Sequence, residues 1–402
     1  MKLLHTSDWH LGQSFKSHSR EFEHKQFLDF LLTTIDEQDI DILIVAGDIF
    51  DTSNPPNYAL KMYHNFLAKI IKTACQDVVI VAGNHDSVST LEVSKDLLKS
   101  LNIHVVASGE EKDEVIVEIK KDAKLKAIVC AVPFLRDRVL RDANTSKASQ
   151  EIEDELRDGI KRYYKDVFNS AKSISKDVPI IASGHFTTTG ASITSDSERE
   201  IYIGKMQNVD SEMLVDFDYV AMGHIHKPQQ IGKNKHIRYS GSPIPLSFSE
   251  TNNAKSVVIV EFEDGVKKIG TFDIPSFREL HRLKGDMQEI KDAIAQIANK
   301  ENPPFVEVTL VGNGVLNIDI TDFIQSSTEL GVELLIVKRE YEIQNKVLED
   351  DANDAILSEL TPLDIFEKRI ALESDIYEDE ELKKILIERY NSILKECIDE
   401  DN

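Results

Sequence analysis

Five short segments rich in Asp, Asn and His each stand where an apolar, strand-like run gives out. Lys2-Leu3-Leu4 leads to Asp8-Trp9-His10, residues 42–46 to Gly47-Asp48-Ile49-Phe50-Asp51, and residues 78–82 to Gly83-Asn84-His85-Asp86. Ile180-Ile181-Ala182 leads to Gly184-His185, and residues 219–222 to Gly223-His224-Ile225-His226. In an α/β sheet the C-terminal ends of strands share one edge, and ligands bind in the crevice there. Residues far apart in sequence therefore converge. The pattern predicts an α/β fold with a metal-dependent phosphoester hydrolase site at that edge.

The donor types narrow the chemistry. Carboxylate, imidazole and amide oxygen together suit Mn²⁺, Fe²⁺ or Zn²⁺ better than Ca²⁺ or Mg²⁺, and with no Cys among them a structural thiolate zinc site is disfavoured. Two metals roughly 3.5–4 Å apart need a bridging ligand, and Asp48 is the natural one. Asp8 and His10, like His224 and His226, are two residues apart, a spacing that points side chains the same way from extended backbone. Glycines 47, 83, 184 and 223 fit tight strand exits with unusual backbone angles. Taken singly, each motif has a plainer reading: Asp-x-His in a solvated loop, Gly-Asp as a turn or helix N-cap, His-x-His at the surface. Five in this order, each at the end of an apolar run, are not explained that way.

The order Asp-x-His, Gly-Asp-x-x-Asp, Gly-Asn-His-Asp, Gly-His, Gly-His-x-His resembles the calcineurin-like metallophosphoesterase superfamily. Residues 1–12, Ile201-Tyr202-Ile203-Gly204 and residues 238–248 resemble its SbcD family, the nuclease subunits of bacterial SbcCD complexes. The resemblance implies a mixed two-sheet sandwich flanked by helices, a small α+β capping domain and a C-terminal helical tail. It implies a manganese-dependent nuclease, acting as a 3′–5′ double-strand exonuclease and a single-strand and hairpin endonuclease in DNA repair and recombination. Two Mn²⁺ per chain would be held, one by Asp8, His10, Asp48 and His226, the other by Asp48, Asn84, His185 and His224. Hydroxide between them would attack phosphorus in line. His85 would assist the leaving oxygen, with Asp86 orienting its ring. Asp51 reads as a supporting or turn-stabilising aspartate.

Two alternatives share the scaffold. A phosphatase or small-molecule phosphodiesterase is one, although the protein phosphatases carry Arg-Gly after the second aspartate where this chain has Thr52-Ser53. A non-catalytic scaffold is the other, and it has no need of a complete ligand set. The remaining histidines read as ordinary, apart from His18, which with Arg20 lies in a loop able to reach DNA.

A net charge of −24 opposes a nucleic-acid substrate. Residues 340–402 carry 20 acidic and 7 basic residues, a net of −13 that leaves −11 for the first 339. Weak DNA affinity alone is expected, with a partner supplying most backbone contacts. No Gly-x-x-x-x-Gly-Lys-Ser/Thr segment is present, so ATP dependence would come from that partner. The resemblance implies an SbcC-like SMC-type ATPase, and a homodimer within a heterotetramer. Dimerisation would run through the helices after the second and third motifs, where Tyr58, Met62 and Phe66 offer a face. Cys75, Cys130 and Cys397 form no disulfide or zinc pattern. With no run long enough to span a membrane and no room for a signal peptide, a cytoplasmic, nucleoid-associated protein is expected.

Three divisions are expected: a nuclease domain over 1–275, a capping domain over 276–340 beginning past Pro275, and an acidic segment over 341–402. Helices are predicted over 20–37, 56–72, 89–100 and 150–173, the third with its N-terminus near the substrate. A hairpin is predicted over 256–263 and 266–274, turning at Asp264-Gly265. The region after Pro275 reads β-α-β-α-β, over 279–284, 287–298, 305–311, 321–330 and 332–339. In the tail, Leu363, Phe366 and Ile370, then Leu382, Ile385, Leu386, Ile393 and Leu394, form two apolar stripes. The resemblance assigns them to the coiled-coil base of the ATPase.

Overall fold

The computed structural model describes residues 1–140, 149–192, 209–263, 266–312, 320–341, 384–387 and 389–390. The motif at 201–204, the Asp264-Gly265 turn, Cys397, and the tail stripes apart from Ile385 and Leu386 lie outside the described residues.

The first sheet contains β1 (Lys2–Thr6), β4 (Ile42–Ala46), β5 (Asp77–Val81), β6 (Ile103–Val106) and the hairpin β13 (Ser256–Glu263) and β14 (Val266–Asp273), in the order β14-β13-β1-β4-β5-β6. Two short strands, β2 (Ser14–Phe15) and β3 (His18–Ser19), pair with each other in the loop after β1. The second sheet has β7 (Ile116–Lys121), β8 (Lys124–Cys130), β9 (Ile180–His185), β10 (Tyr219–Gly223), β11 (Gln229–Ile231) and β12 (Asn234–Tyr239), in the order β11-β12-β10-β9-β8-β7. Strands β1, β4, β5 and β6 run parallel, as do β8, β9, β10 and β12. The outer hairpins are antiparallel. This is the mixed two-sheet sandwich that the strand pattern and resemblance led us to expect.

The apolar strands are explained by two-sided burial. Alternate residues of a strand point to opposite faces, and in β4 Ile42, Ile44 and Ala46 join the core between the sheets while Leu43 and Val45 join the core under the helices. A strand covered on both faces has no position for a polar side chain. Helices α1 (Glu21–Glu37) and α2 (Asn57–Ile70) cover the outer face of the first sheet through Phe27, Leu31, Phe66 and Ile70. Trp9 sits among them, edge-on to Phe27 and Phe66. Helix α6 (Ser149–Ile174) covers the second sheet with Leu156, Ile160, Tyr163, Tyr164, Val167 and Ala171, one stripe at helical spacing. His5 is fully buried, its Nδ1 2.9 Å from the Tyr219 hydroxyl, a polar tie between the sheets.

The helix expected over 89–100 is two single turns, α3 (Val88–Glu92) and α4 (Lys95–Lys99). Five residues align too few peptide dipoles to act far beyond the cap. A further short helix, α5 (Asp137–Leu140), precedes α6. After Pro275 come β15 (Leu280–Gly285), α7 (Met287–Ile297), β16 (Phe305–Gly312), α8 (Ile320–Leu330) and β17 (Glu333–Tyr341), forming a three-stranded sheet in the order β15-β16-β17. Asp286 starts α7 with a full capping box to Glu289. The chain divides into two compact units: Met1–Thr309 with Asp319–Lys338, and Leu310–Ile318 with Arg339–Asn402. Among the described residues, no helix is long and apolar enough to cross a membrane.

Within the first unit, Arg20 corrects an expectation. It does not reach outward toward DNA but is fully buried. Its Nε donates to Glu23 Oε1 at 3.0 Å and its Nη1 to the Pro245 carbonyl at 2.9 Å. The same Glu23 oxygen lies 2.8 Å from Arg278 Nε, and the Arg278 guanidinium stacks 4.4 Å over Phe305. His18 is exposed, its ring edge-on to Phe305 at 5.4 Å. One carboxylate thus joins α1 to the start of the three-stranded unit. Glu23→Gln leaves two guanidiniums uncompensated and should lower stability by about 3–5 kcal/mol. Urea unfolding followed by the emission of Trp9, the chain's one tryptophan, checks this. A change within experimental error would mean the pair is solvated.

Candidate metal centre

All five motifs emerge at one edge of the sandwich. Asp8 and His10 follow β1, Asp48 follows β4, and Asn84, His85 and Asp86 follow β5. His185 ends β9, while His224 and His226 follow β10. The first two exits stay zipped past their strands, with Asp8 N bonded to Gly47 O and His10 N to Asp48 O, each at 3.0 Å.

Two of the three possible ligand groups match the expected sets, and the third joins His10 to Asp51 and His85. Asp8, His10 and His226 bring donor atoms within 4.8 Å of one another, and so do Asp48, His185 and His224. Asn84 Oδ1 joins the second cluster, 3.0 Å from His185 Nε2 and 3.2 Å from His224 Nδ1. Asp48 Oδ2 lies 3.2 Å from His185 Nε2 and 3.6 Å from His10 Nε2, so a single oxygen stands between the clusters. Its other oxygen accepts the His85 backbone N–H at 2.9 Å.

The residues fit divalent cations by a test internal to the site. His10 Nε2 is buried without a hydrogen-bond partner, an arrangement that is costly unless something else satisfies the nitrogen. His10 Nδ1 faces Asp51 Oδ1 at 3.2 Å, and His185 Nδ1 faces the Ala46 carbonyl at 2.9 Å. Both rings therefore present Nε2 inward, the way metal-ligating imidazoles are held.

The backbone is strained where the ligands sit. Unusual angles expected at the glycines fall mostly on the ligands: Asp8, His10, Asp48 and His224 have φ of 53°, 47°, 50° and 93°. Non-glycine residues in the left-handed region cost energy and cluster at functional sites. Of the four motif glycines only Gly47 has positive φ, at 90°. Gly83 is needed for close approach instead, since a Cβ there would stand 2.1 Å from Asp48 Oδ1.

Charges in the cluster are tightly matched. Burial disfavours a charged His185, but Asp48 and Asp8 outweigh it and raise the imidazole to about 9. Burial likewise opposes an ionised Asp48, yet His185 and His10 hold it well below the usual carboxylate range. His224 is pushed down to about 3 by burial and by His185.

Two expectations about the third motif are revised. Asp86 does not orient His85; its carboxylate accepts the backbone N–H groups of Gly83, Ile49 and Phe50 at 2.8, 3.1 and 3.0 Å. Those three bonds tie the β4 and β5 exits together. Burial and the nearby Asp48 raise Asp86 to about 6. The His85 ring is held by Asp51, whose carbonyl is 2.7 Å from His85 Nδ1. Asp51 thus serves two rings, His10 through its side chain and His85 through its backbone.

Sequence reasoning also missed a supporting layer. Ser7 Oγ donates to Asp8 and lies 2.7 Å from Ser240 Oγ. Glu250 is buried with Oε1 3.6 Å from His226 Nδ1 and is paired with Lys255. Its carboxyl sits low, at about 2, because Lys255 and His226 overcome the effect of burial. Serines and a lone Glu-Lys pair carry no spacing signal, so only the fold shows them.

Residues 1–228 match the calcineurin-like phosphoesterase family, and residues 276–374 match SbcD_C, the type 5 capsule protein repressor C-terminal domain. The chain belongs to the calcineurin-like phosphoesterases. Within them it is a member of the SbcD family of nucleases. It is 40% identical over 379 residues to the SbcD chain of the SbcCD nuclease of Escherichia coli K12, covering 93% of each chain. It is 32% identical over 329 residues to that of Rhodobacter capsulatus, covering 77% of this chain and 80% of the relative. Against that of Bacillus subtilis it is 34% identical over 268 residues, covering 66% and 67%.

Ligand imidazoles bind metal in the neutral form, so metal binding must displace the His185 proton. In chelator-treated protein the His185–Asp48 attraction should be complete below pH about 6.5 and fade as pH rises through about 9. Metal affinity should therefore climb with pH across that window. Against the effect of burial, Asp51 and Asp48 raise His10 as well. Calorimetry in buffers of different ionisation enthalpy should therefore find at least one proton released per chain near pH 7.5, and release of none would contradict the assignment.

Proposed function

We propose that the chain is a manganese-dependent DNA nuclease that cuts duplex ends and hairpins together with an SMC-type ATPase of the SbcC kind. The observation that carries this reading is the position of Asp48 Oδ2 between His10 and His185, with a ligand cluster on either side. One cation is assigned to Asp8, His10, Asp48 and His226, and the other to Asp48, Asn84, His185 and His224. Together the two would polarise the phosphodiester and supply an acidified water for in-line attack.

The chain's own groups do the rest. His85 reads as the group that serves the leaving oxygen. With Nδ1–H given to the Asp51 carbonyl, Nε2 of the imidazolium form is the nitrogen whose proton would pass to the departing alkoxide, leaving the ring neutral. Its ring lies edge-on to His10 at 4.9 Å, which keeps it beside the first cluster. Asp86 keeps the loops in register through its three backbone amides.

The acidic balance supports dependence on a partner. Residues 276–340 are assigned as a cap over the site and residues 341–402 as the segment that docks on the coiled-coil base of the ATPase. A homodimer completes the heterotetramer, and DNA as substrate places it with the nucleoid. For the dimer face, Phe66 belongs to the core while Val93 and Leu97 are 79% and 67% exposed, followed by half-exposed Leu101. These exposed apolar side chains on the segment after the third motif are the better candidate for the interface.

Incubation of linear and hairpin duplexes with Mn²⁺, with and without the ATPase partner and ATP, tests the reading. Strong stimulation by partner and ATP is expected. His85→Ala should lower cleavage by about 10²–10⁴-fold while two metals still bind. Activity on p-nitrophenyl phosphate without activity on DNA would favour a phosphatase. Separately, Val93→Asp with Leu97→Asp should convert the dimer to monomer in light scattering and leave the fold intact; an unchanged mass would move the interface elsewhere.

A further inference from the structure

Glu250 is a fully buried carboxylate that neither metal set uses. It ends the short turn Phe248–Glu250, immediately past the residues that carried the family resemblance. Oε1 stands 3.6 Å from His226 Nδ1, an ion-pair separation just past hydrogen-bond length. Oε2 accepts from Lys255 Nζ and lies 3.3 Å from the Ser242 hydroxyl, whose shorter contact is to the Ile244 carbonyl at 2.9 Å. Lys255 is buried as well, and its Nζ also donates to Ser242 Oγ at 2.8 Å and to the His226 carbonyl at 3.1 Å. An ammonium has three N–H donors, and here three acceptors meet them. The Ser242 N–H reaches the same His226 carbonyl at 3.1 Å. Between them, Glu250 addresses the His226 ring and Lys255 its backbone.

Stability alone explains such a pair poorly. Desolvating a carboxylate and an ammonium offsets most of their attraction, and an apolar pair of similar volume is often no worse. Its placement against one imidazole is better explained by its effect on that ring. Three neighbouring rings turn Nδ1 to a supporting oxygen, His10 to Asp51, His185 to Ala46 and His85 to Asp51, whereas His224 turns its Nδ1 to Asn84.

We infer that Glu250 is the positioning residue for His226, facing its Nδ1 so that Nε2 is the donor offered to the Asp8–His10 metal, with Lys255 fixing the carboxylate's other oxygen in place. A carboxylate behind a ligating imidazole fixes the tautomer and strengthens the donor, and its loss weakens metal binding about 10–100-fold. The inference rests on the two-metal reading above.

Calorimetric titration of chelator-treated full-length chain with Mn²⁺ tests it, alongside thermal unfolding of each variant. Wild type should bind two ions; fewer would sink the two-metal reading itself. Given two, Glu250→Gln combined with Lys255→Met keeps the buried charge balanced. That double variant should lose about 10–100-fold in one binding step and keep the other. Lys255→Met alone should unfold at lower temperature yet retain both steps, because the carboxylate remains. In a His226→Ala background the double change should weaken metal binding no further. Wild-type affinity at both steps in the double variant, or an equal loss at both, would overturn the assignment and leave the pair a packing feature.

Discussion

The Asp48 carboxylate is the contact on which the arrangement depends. It is buried between two sheets, where an isolated anion would be strongly disfavoured. It persists because one oxygen faces His185 and His10 while the other takes the His85 backbone N–H. That carboxylate therefore touches three of the five strand-end segments. Its backbone is held with φ of 50°, and Gly83 leaves it room. Strain, close approach and charge all converge on the residue best placed to be shared by two cations.

Around it the contacts serve mainly orientation. Asp86 commits its carboxylate to three backbone amides, Asp51 aligns two imidazoles, and Ser7 with Ser240 supports Asp8. Such contacts fix the rotamers of the ligands before any cation arrives, as a preorganised site requires. They also show why residues adjacent in sequence have unlike roles. His85 and Asp86 are neighbours, yet successive side chains leave the chain in different directions, one toward the cluster and one into the loop behind it.

The strongly acidic composition takes on a different meaning once the fold is known. A chain with net charge −24 gains little from long-range attraction to DNA. The site's positive charge would come from cations, and the two arginines bridged by Glu23 are committed elsewhere. Arg20 and Arg278 are both engaged by Glu23 and by aromatic faces. Under the proposed nuclease reading, recognition of a polyanion falls to bound cations and a partner.

Much of the fold was legible because each strand-helix alternation carries its own period. The β4 run, the α6 stripe and the β-α-β-α-β pattern after Pro275 were readable from local spacing, since burial on a face imposes that spacing residue by residue. The ligand types were legible for the same reason: strand ends are marked by where apolar runs stop. Local spacing therefore marked the elements, their order and the strand ends where the candidate donors stand. Long-range packing settled that Arg20 is buried, that Asp86 clamps loops, that α3 and α4 are separate turns, and that Glu250 stands behind His226. Each of these depends on which distant segment packs opposite. A spacing rule has no access to that, because the contacting segment's distance along the chain is arbitrary.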